Sequence, residues 1–191
     1  MTPILIVGPA AEPVSLADAK SWLKIDTSED DDLIGALVTS ARLIVESRTR
    51  RMLLTQTWRL VLDQWPRGLV ASLPFAPFQS VVAIRVYDAN ALAQILPGEL
   101  YTVDAAPDRA RLIFGAAPPA PGRPIAGIEI DLVVGYGDDP DAVPAPLRQA
   151  IRLLAARWFE NRGDQLSDPA QERFPAQVAA LLAPYSRVRL A

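Results

Sequence analysis

Hydrophobic positions along the chain change period twice, from helical to alternating and back to helical. Near the start, Ser15 with Asp18 three residues on forms a capping box and Val14 sits at the staple position, which predicts a first helix reaching about Leu23. A second helix is predicted to start near Ser28, with Glu29, Asp30, Asp31 and Asp32 in its first turn, where carboxylates complement the positive end of the helix dipole. Its apolar positions form two adjacent stripes, Leu33, Leu37, Ala41 and Ile44 beside Ile34, Val38, Ala41 and Val45. Arg48, Arg50 and Arg51 close it. That face is wide enough to require two packing neighbours.

From Thr55 to Gly137 the period falls to two. Trp58, Leu60 and Leu62 alternate with Arg59, Val61 and Asp63; Val82, Ile84 and Val86 alternate with Ala83, Arg85 and Tyr87. Tyr101 to Asp104 and Arg111 to Phe114 read as shorter strands, and Asp88-Ala89-Asn90 as a turn. A proline-rich run from Ala116 to Pro124 leads into Ile128, Ile130, Leu132 and Val134, which alternate with Glu129, Asp131 and Val133. About five strands result, mostly antiparallel by their short connections. Gly135 and Gly137 break the last strand, and Pro144 and Pro146 fit a helix lead-in and first turn. Leu147, Ala150, Ile151, Leu154, Ala155 and Trp158 then recur at helical spacing. A short last helix is predicted from Pro175 to about Ala183.

The expected class is therefore α+β: a discontinuous helical layer from both chain ends with an inserted, mostly antiparallel β meander. The expected boundaries are an extended arm or edge strand at 1–13, a helical domain of 14–53 plus 144–184, an inserted β subdomain at 54–143 and a tail at 185–191. The 18 prolines suit this picture of short elements and many corners. With 191 residues, half of them hydrophobic, the chain can bury one real core, with or without an inserted subdomain.

A net charge of −3 argues against a domain whose main task is to grip phosphates. No run approaches the ~20 apolar residues needed to span a bilayer, and MTPILIVGPAAEP lacks the basic start of a signal peptide. The chain is expected to be soluble, with no membrane partner. Histidine and cysteine are both absent, which removes the commonest general base, the commonest thiol nucleophile, disulfides and thiolate metal sites. The only lysines are Lys20 and Lys24, so no glycine-rich phosphate loop with its lysine is present, and Gly135-Tyr136-Gly137 lacks that spacing.

Each remaining constellation has a plain structural reading beside a functional one. Glu29 to Asp32 is a helix start or a hard-cation site without calcium-loop spacing. Asp138, Asp139 and Asp141 cap a turn or bind a cation. Arg48, Arg50 and Arg51 complement a helix end or contact DNA or an acidic rim. Trp58, Trp65, Trp158 and Phe159 recur with apolar residues and read as core. The terminal Tyr185, Arg187, Val188, Arg189 and Leu190 mix apolar and cationic side chains, as a frayed end or a docking segment.

Four segments together resemble the phage head–tail connector (adaptor) family, in the long form with a β insertion found in tailed phages and gene transfer agents. They are SLADAKSWLKI at 15–25, DDDLIGALVTSARLIVESRTRRML at 30–53, TQTWRLVLDQWP at 55–66, and the strand–corner–helix stretch from Asp131 to Gly163 with its Trp-Phe-Glu-Asn-Arg ending. The resemblance implies a structural, non-enzymatic protein without cofactors, made in the bacterial cytoplasm and built into the head–tail junction of a particle. It implies a ring, dodecameric in the family, beneath a portal protein and above a neck stopper or tail protein, with DNA passing through the lumen unread. Docking to the portal is then expected at Tyr185, Arg187, Val188, Arg189 and Leu190. For the subunit interface, Arg148 and Arg152, one helical turn apart, are expected to face Glu29, Asp30 and Asp31 of a neighbour, setting register. Two other classes stay open: a small carboxylate-dependent hydrolase, requiring Asp104, Asp108 or Asp131 to converge in a pocket, and a regulatory nucleic-acid-binding domain, requiring a basic groove.

Overall fold

In a computed structural model of the chain, the residues described are 1–106, 110–161 and 174–186. Among the described residues eight strands and four helices follow one another as β1 (Thr2–Val7), α1 (Leu16–Leu23), α2 (Asp31–Thr49), β2 (Gln56–Leu62), β3 (Val70–Ser72), β4 (Phe78–Tyr87), β5 (Ala93–Ile95), β6 (Tyr101–Asp104), β7 (Arg111–Phe114), β8 (Ile128–Val134), α3 (Ala145–Glu160) and α4 (Ala176–Leu182). The class is α+β. Two compact units divide the chain, one of Met1–Pro9 with Thr55–Tyr136, the other of Ala10–Leu54 with Gly137–Ala191.

The first unit holds all eight of the described strands. Five form a sheet in the order β1-β2-β8-β4-β5 and three form a second in the order β3-β7-β6, each pair antiparallel. Strand order departs from chain order because β8 lies between β2 and β4. Its IEIDLVV sequence buries Ile128, Ile130, Leu132 and Val134 completely or nearly so, and such a strand is most stable with a neighbour on each side. Leu60, Leu62, Ile84 and Val86 lie on the same apolar face. Ala71, Leu112 and Phe114 bury the alternate positions of the smaller sheet, and the Phe114 ring meets Trp65 with centroids 4.9 Å apart. Trp58 meets Phe75 at 4.7 Å, so both tryptophans serve the interior.

Three strands exceed the five expected from alternation. β3 and β5 are three residues long, too short to display a period of two, and β1 is an edge strand whose six side chains are all exposed. One proline-run residue is fixed by geometry. Gly122 donates from its backbone N to Tyr87 O at 2.8 Å, and a Cβ there would collide with the backbone of Asp88 and Ala89. The dense prolines therefore run tightly along the β4–β5 turn, which Asp88 organises by accepting from the N–H groups of Asn90 and Leu92.

The second unit is the helical layer built from both ends of the chain. Ser15 caps α1, its hydroxyl accepting from Asp18 N at 3.0 Å as the capping box predicts. α1 packs on α2 and α3, and α2 on α3 and α4. Ile34, Val38, Ala41 and Val45 of α2 meet a layer that also buries Leu147, Ala150, Ile151, Leu154, Val178 and Leu182. The Leu33 and Leu37 stripe lies at its margin, with Leu33 exposed. α2 begins at Asp31, three residues after the predicted start, with Asp31 and Asp32 in its first turn.

Candidate functional site

Charged side chains gather in three places, each built by a separate local rule. On the polar face of the five-stranded sheet, β2 and β8 place Arg59 directly opposite Asp131, and β4 and β8 place Arg85 opposite Glu129. Arg59 Nε donates to Asp131 Oδ1 at 2.7 Å, and Arg85 Nη1 donates to Asp131 Oδ2 at 2.6 Å. Glu129 accepts from the Tyr87 hydroxyl at 2.9 Å and lies 3.1 Å from Arg59, while the Arg123 guanidinium covers the Tyr87 ring at 3.7 Å. One buried carboxylate thus ties three strands together.

Burial pushes the Asp131 carboxyl up, but the hydrogen bonds and charges of Arg59 and Arg85 outweigh it and hold the group below its usual range. The bond to Asp131 raises Arg59 further above its ordinary value. Burial and then the bond to Glu129 raise the Tyr87 phenol. The arrangement is a register lock: a one-residue slip of β8 would turn Asp131 into the apolar core and strand both arginines.

The second place is the end of α2. Arg51 Nε donates to the Tyr185 carbonyl at 3.3 Å and its guanidinium sits 5.7 Å from the Tyr185 ring; Arg48 lies 4.8 Å over the Phe174 ring. Arg50 is the left-handed C-cap of the helix. Arg51 therefore holds the base of the terminal segment, and Ser186 completes it by donating to Leu182 O at 3.0 Å. Of the five terminal residues expected to dock, only Tyr185 can be placed; Arg187, Val188, Arg189 and Leu190 lie outside the described residues.

Third is the polar side of the helices. Arg148 Nη1 donates to Asp141 at 2.5 Å, and Lys20 Nζ donates to Asp31 at 2.6 Å, so both expected interface residues have partners within the chain. Arg148 Nε is buried with no hydrogen-bond partner. Arg152 is half-buried and Glu29 exposed, and neither makes an ion pair among the described residues. Asp30 is the α2 N-cap residue. Asp139 caps the turn before α3, accepting from Asp141 N at 2.8 Å, the turn duty expected of that cluster.

The carboxylates named for a hydrolase are not brought together. Asp104 lies in the three-stranded sheet, where Arg111 hydrogen-bonds it and lowers its carboxyl, whereas Asp131 lies in the five-stranded sheet between two arginines. Asp108 falls outside the described residues. No group of three acidic side chains suited to a metal is found among the described residues.

Comparison with known proteins agrees with the resemblance read from the segments. A family model described as Phage gp6-like head-tail connector protein matches residues 13–94. Over those residues the chain is similar to this head–tail connector family. Among solved structures, a chain in the neck of an empty gene transfer agent particle, computed with C6 symmetry, is 28% identical with a TM-score of 0.83, covering 100% of this chain and 98% of that one. A chain of the virion of the native particle is 27% identical with a TM-score of 0.82, again covering 100% and 98%. A chain from the native neck computed with C12 symmetry is 28% identical with a TM-score of 0.80 over the same shares. No curated protein matches significantly. As a head–tail connector, the chain has a structural role.

Proposed function

We propose that this connector forms a closed ring, twelve-fold, in the neck of a gene transfer agent or tailed-phage particle, beneath the portal and above a stopper or tail protein. The observation that carries this reading is end-to-end likeness, at 28% identity, to chains seated in particle necks computed with C6 and C12 symmetry. A cyclic ring requires two different patches on each subunit. Synthesis in the bacterial cytoplasm precedes its incorporation at the head–tail junction. No helix among the described residues is long and apolar enough to cross a membrane.

The terminal segment from Tyr185 through Arg187, Val188, Arg189 and Leu190 engages the portal, and Arg51 anchors Tyr185 at its start. On the helical side of the subunit contact, Arg152 meets Glu29 of a neighbour. Arg148, Asp30 and Asp31 belong to the same strip, with Arg148 and Asp31 exchanging their partners within the chain for partners across the ring. With a net charge of −3 the lumen lets duplex DNA pass without gripping it.

Binding to immobilised cognate portal tests both levels. The full chain is expected to bind, and the double variant Arg187→Glu/Arg189→Glu to bind at least about tenfold more weakly, a loss of roughly 1.4 kcal/mol. Absence of binding by the full chain contradicts the connector reading; equal binding by the variant contradicts only the tail assignment.

A further inference from the structure

Among the described residues the five-stranded sheet ends in two edges that have no strand neighbour, and both expose apolar side chains. β1 pairs with β2 on one side only, and Ile4, Leu5 and Ile6 are each nearly half exposed. At the other end β5 pairs with β4 only over Arg85 to Tyr87, leaving the earlier part of β4 uncovered. Val82, Leu92 and Ile95 of that edge are 58%, 64% and 69% exposed.

Both edges lack charge, the commonest protection, although Pro3 and the irregularity between Leu5 and Val7 lie on β1 and β5 is only three residues long. Thr2–Val7 contains no charged residue, nor does the stretch of β4 from Gln79 to Ala83, whereas exposed edge strands are ordinarily guarded by lysine or other charges against pairing with further chains. Scattered exposed leucines need no explanation, but two uncharged apolar edges at opposite ends of one sheet do.

We infer that β1 of one subunit seats against the β4–β5 edge of the next copy of this chain, so that the sheets run head to tail around the ring. This deepens the ring reading and rests on it. The occupant is a second copy because the two edges are different surfaces at opposite ends of the same sheet, which is the relation a heterologous, ring-closing interface needs. A two-fold dimer would instead bury one edge against itself. Similarity to chains in necks computed with C12 and C6 symmetry supplies the cyclic setting.

The absence of cysteine makes the contact directly readable. Leu5→Cys and Val82→Cys are introduced together, the protein is assembled on its portal, and a short bismaleimide is added. A ladder of covalent multimers is expected from the double variant, and uncrosslinked monomer from each single variant. No ladder from the double variant, while imaging still shows rings, overturns the edge contact and leaves the ring reading standing. Dimers from Leu5→Cys alone overturn it in favour of a two-fold β1–β1 contact. Failure of the unsubstituted chain to form rings on the portal overturns both. A second measurement uses charge: Ile6→Lys is expected to lower ring yield about tenfold, and adding Val82→Glu to restore most of it. Both positions are substantially exposed, so the monomer's unfolding transition should stay in place. Undiminished yield with Ile6→Lys contradicts the inference.

Discussion

Arg42 and Glu46 form a buried ion pair one turn apart in α2, with Arg42 Nη1 donating to Glu46 Oε2 at 2.9 Å. Arg42 Nε also donates to Glu12 at 2.8 Å, and Glu46 accepts from the backbone N–H of Leu53 at 2.9 Å. The pair thereby fastens the segment before α1 and the segment after α2 to one helix. Replacing Glu46 with leucine leaves Leu53 N–H unsatisfied and Arg42 with Glu12 as its remaining carboxylate, and is expected to cost about 3 kcal/mol. Urea unfolding of the single variant against Arg42→Met/Glu46→Leu checks this. The double variant should recover much of the loss.

Acid unfolding follows from Asp131. Its carboxyl is held below its ordinary value of 3.8 in the folded protein, so the unfolded chain binds more protons in that window and stability rises with pH there. The contribution is complete above the unfolded value and disappears as pH falls through the folded one. Asp131→Asn is expected to remove this acid dependence and to cost about 2 kcal/mol at pH 7, where Arg59 and Arg85 lose a charged acceptor. Chemical unfolding from pH 7 to pH 2 measures both effects.

Two glycines should respond in opposite directions. Gly122→Ala drives a methyl into the backbone of Asp88 and Ala89 and is expected to destabilise by about 2 kcal/mol. Gly35→Ala, inside α2 with open space at the Cβ position, is expected to stabilise by roughly 0.8 kcal/mol through helix propensity. Thermal unfolding of the two variants is sufficient to separate them.

At the base of the tail, Arg51 uses the Tyr185 carbonyl and ring. Tyr185→Phe keeps both and should change stability by less than about 0.5 kcal/mol, whereas Tyr185→Ala should cost about 1 kcal/mol. Portal affinity measured alongside stability tells whether the ring face serves anchoring alone.

Much of the helical layer was legible because its signals are local. Ser15 does cap α1, the stripe of Ile34, Val38, Ala41 and Val45 is buried, and the Pro144 corner opens α3. Long-range relations were harder to read. Arg42 and Glu46 have helical spacing, but their burial depends on Glu12, which lies beyond α1 in a segment with no period of its own. Asp131 occupies an off-core position of an alternating strand and reads as solvent-facing. Its burial comes from arginines on two strands distant in sequence, and the only available signal was that Arg59 and Arg85 hold the same parity as Asp131 once β8 lies between β2 and β4. For the interface, charge spacing on α3 drew attention to Arg148 and Arg152. The uncharged edges of the sheet stand out only when strand order is known.

Electron microscopy of the purified chain mixed with its cognate portal tests the structural role most directly. Closed twelve-fold rings of the chain on one face of the portal are expected, with an open central channel. A chain that stays monomeric and leaves the portal bare under conditions in which both proteins are folded would contradict it.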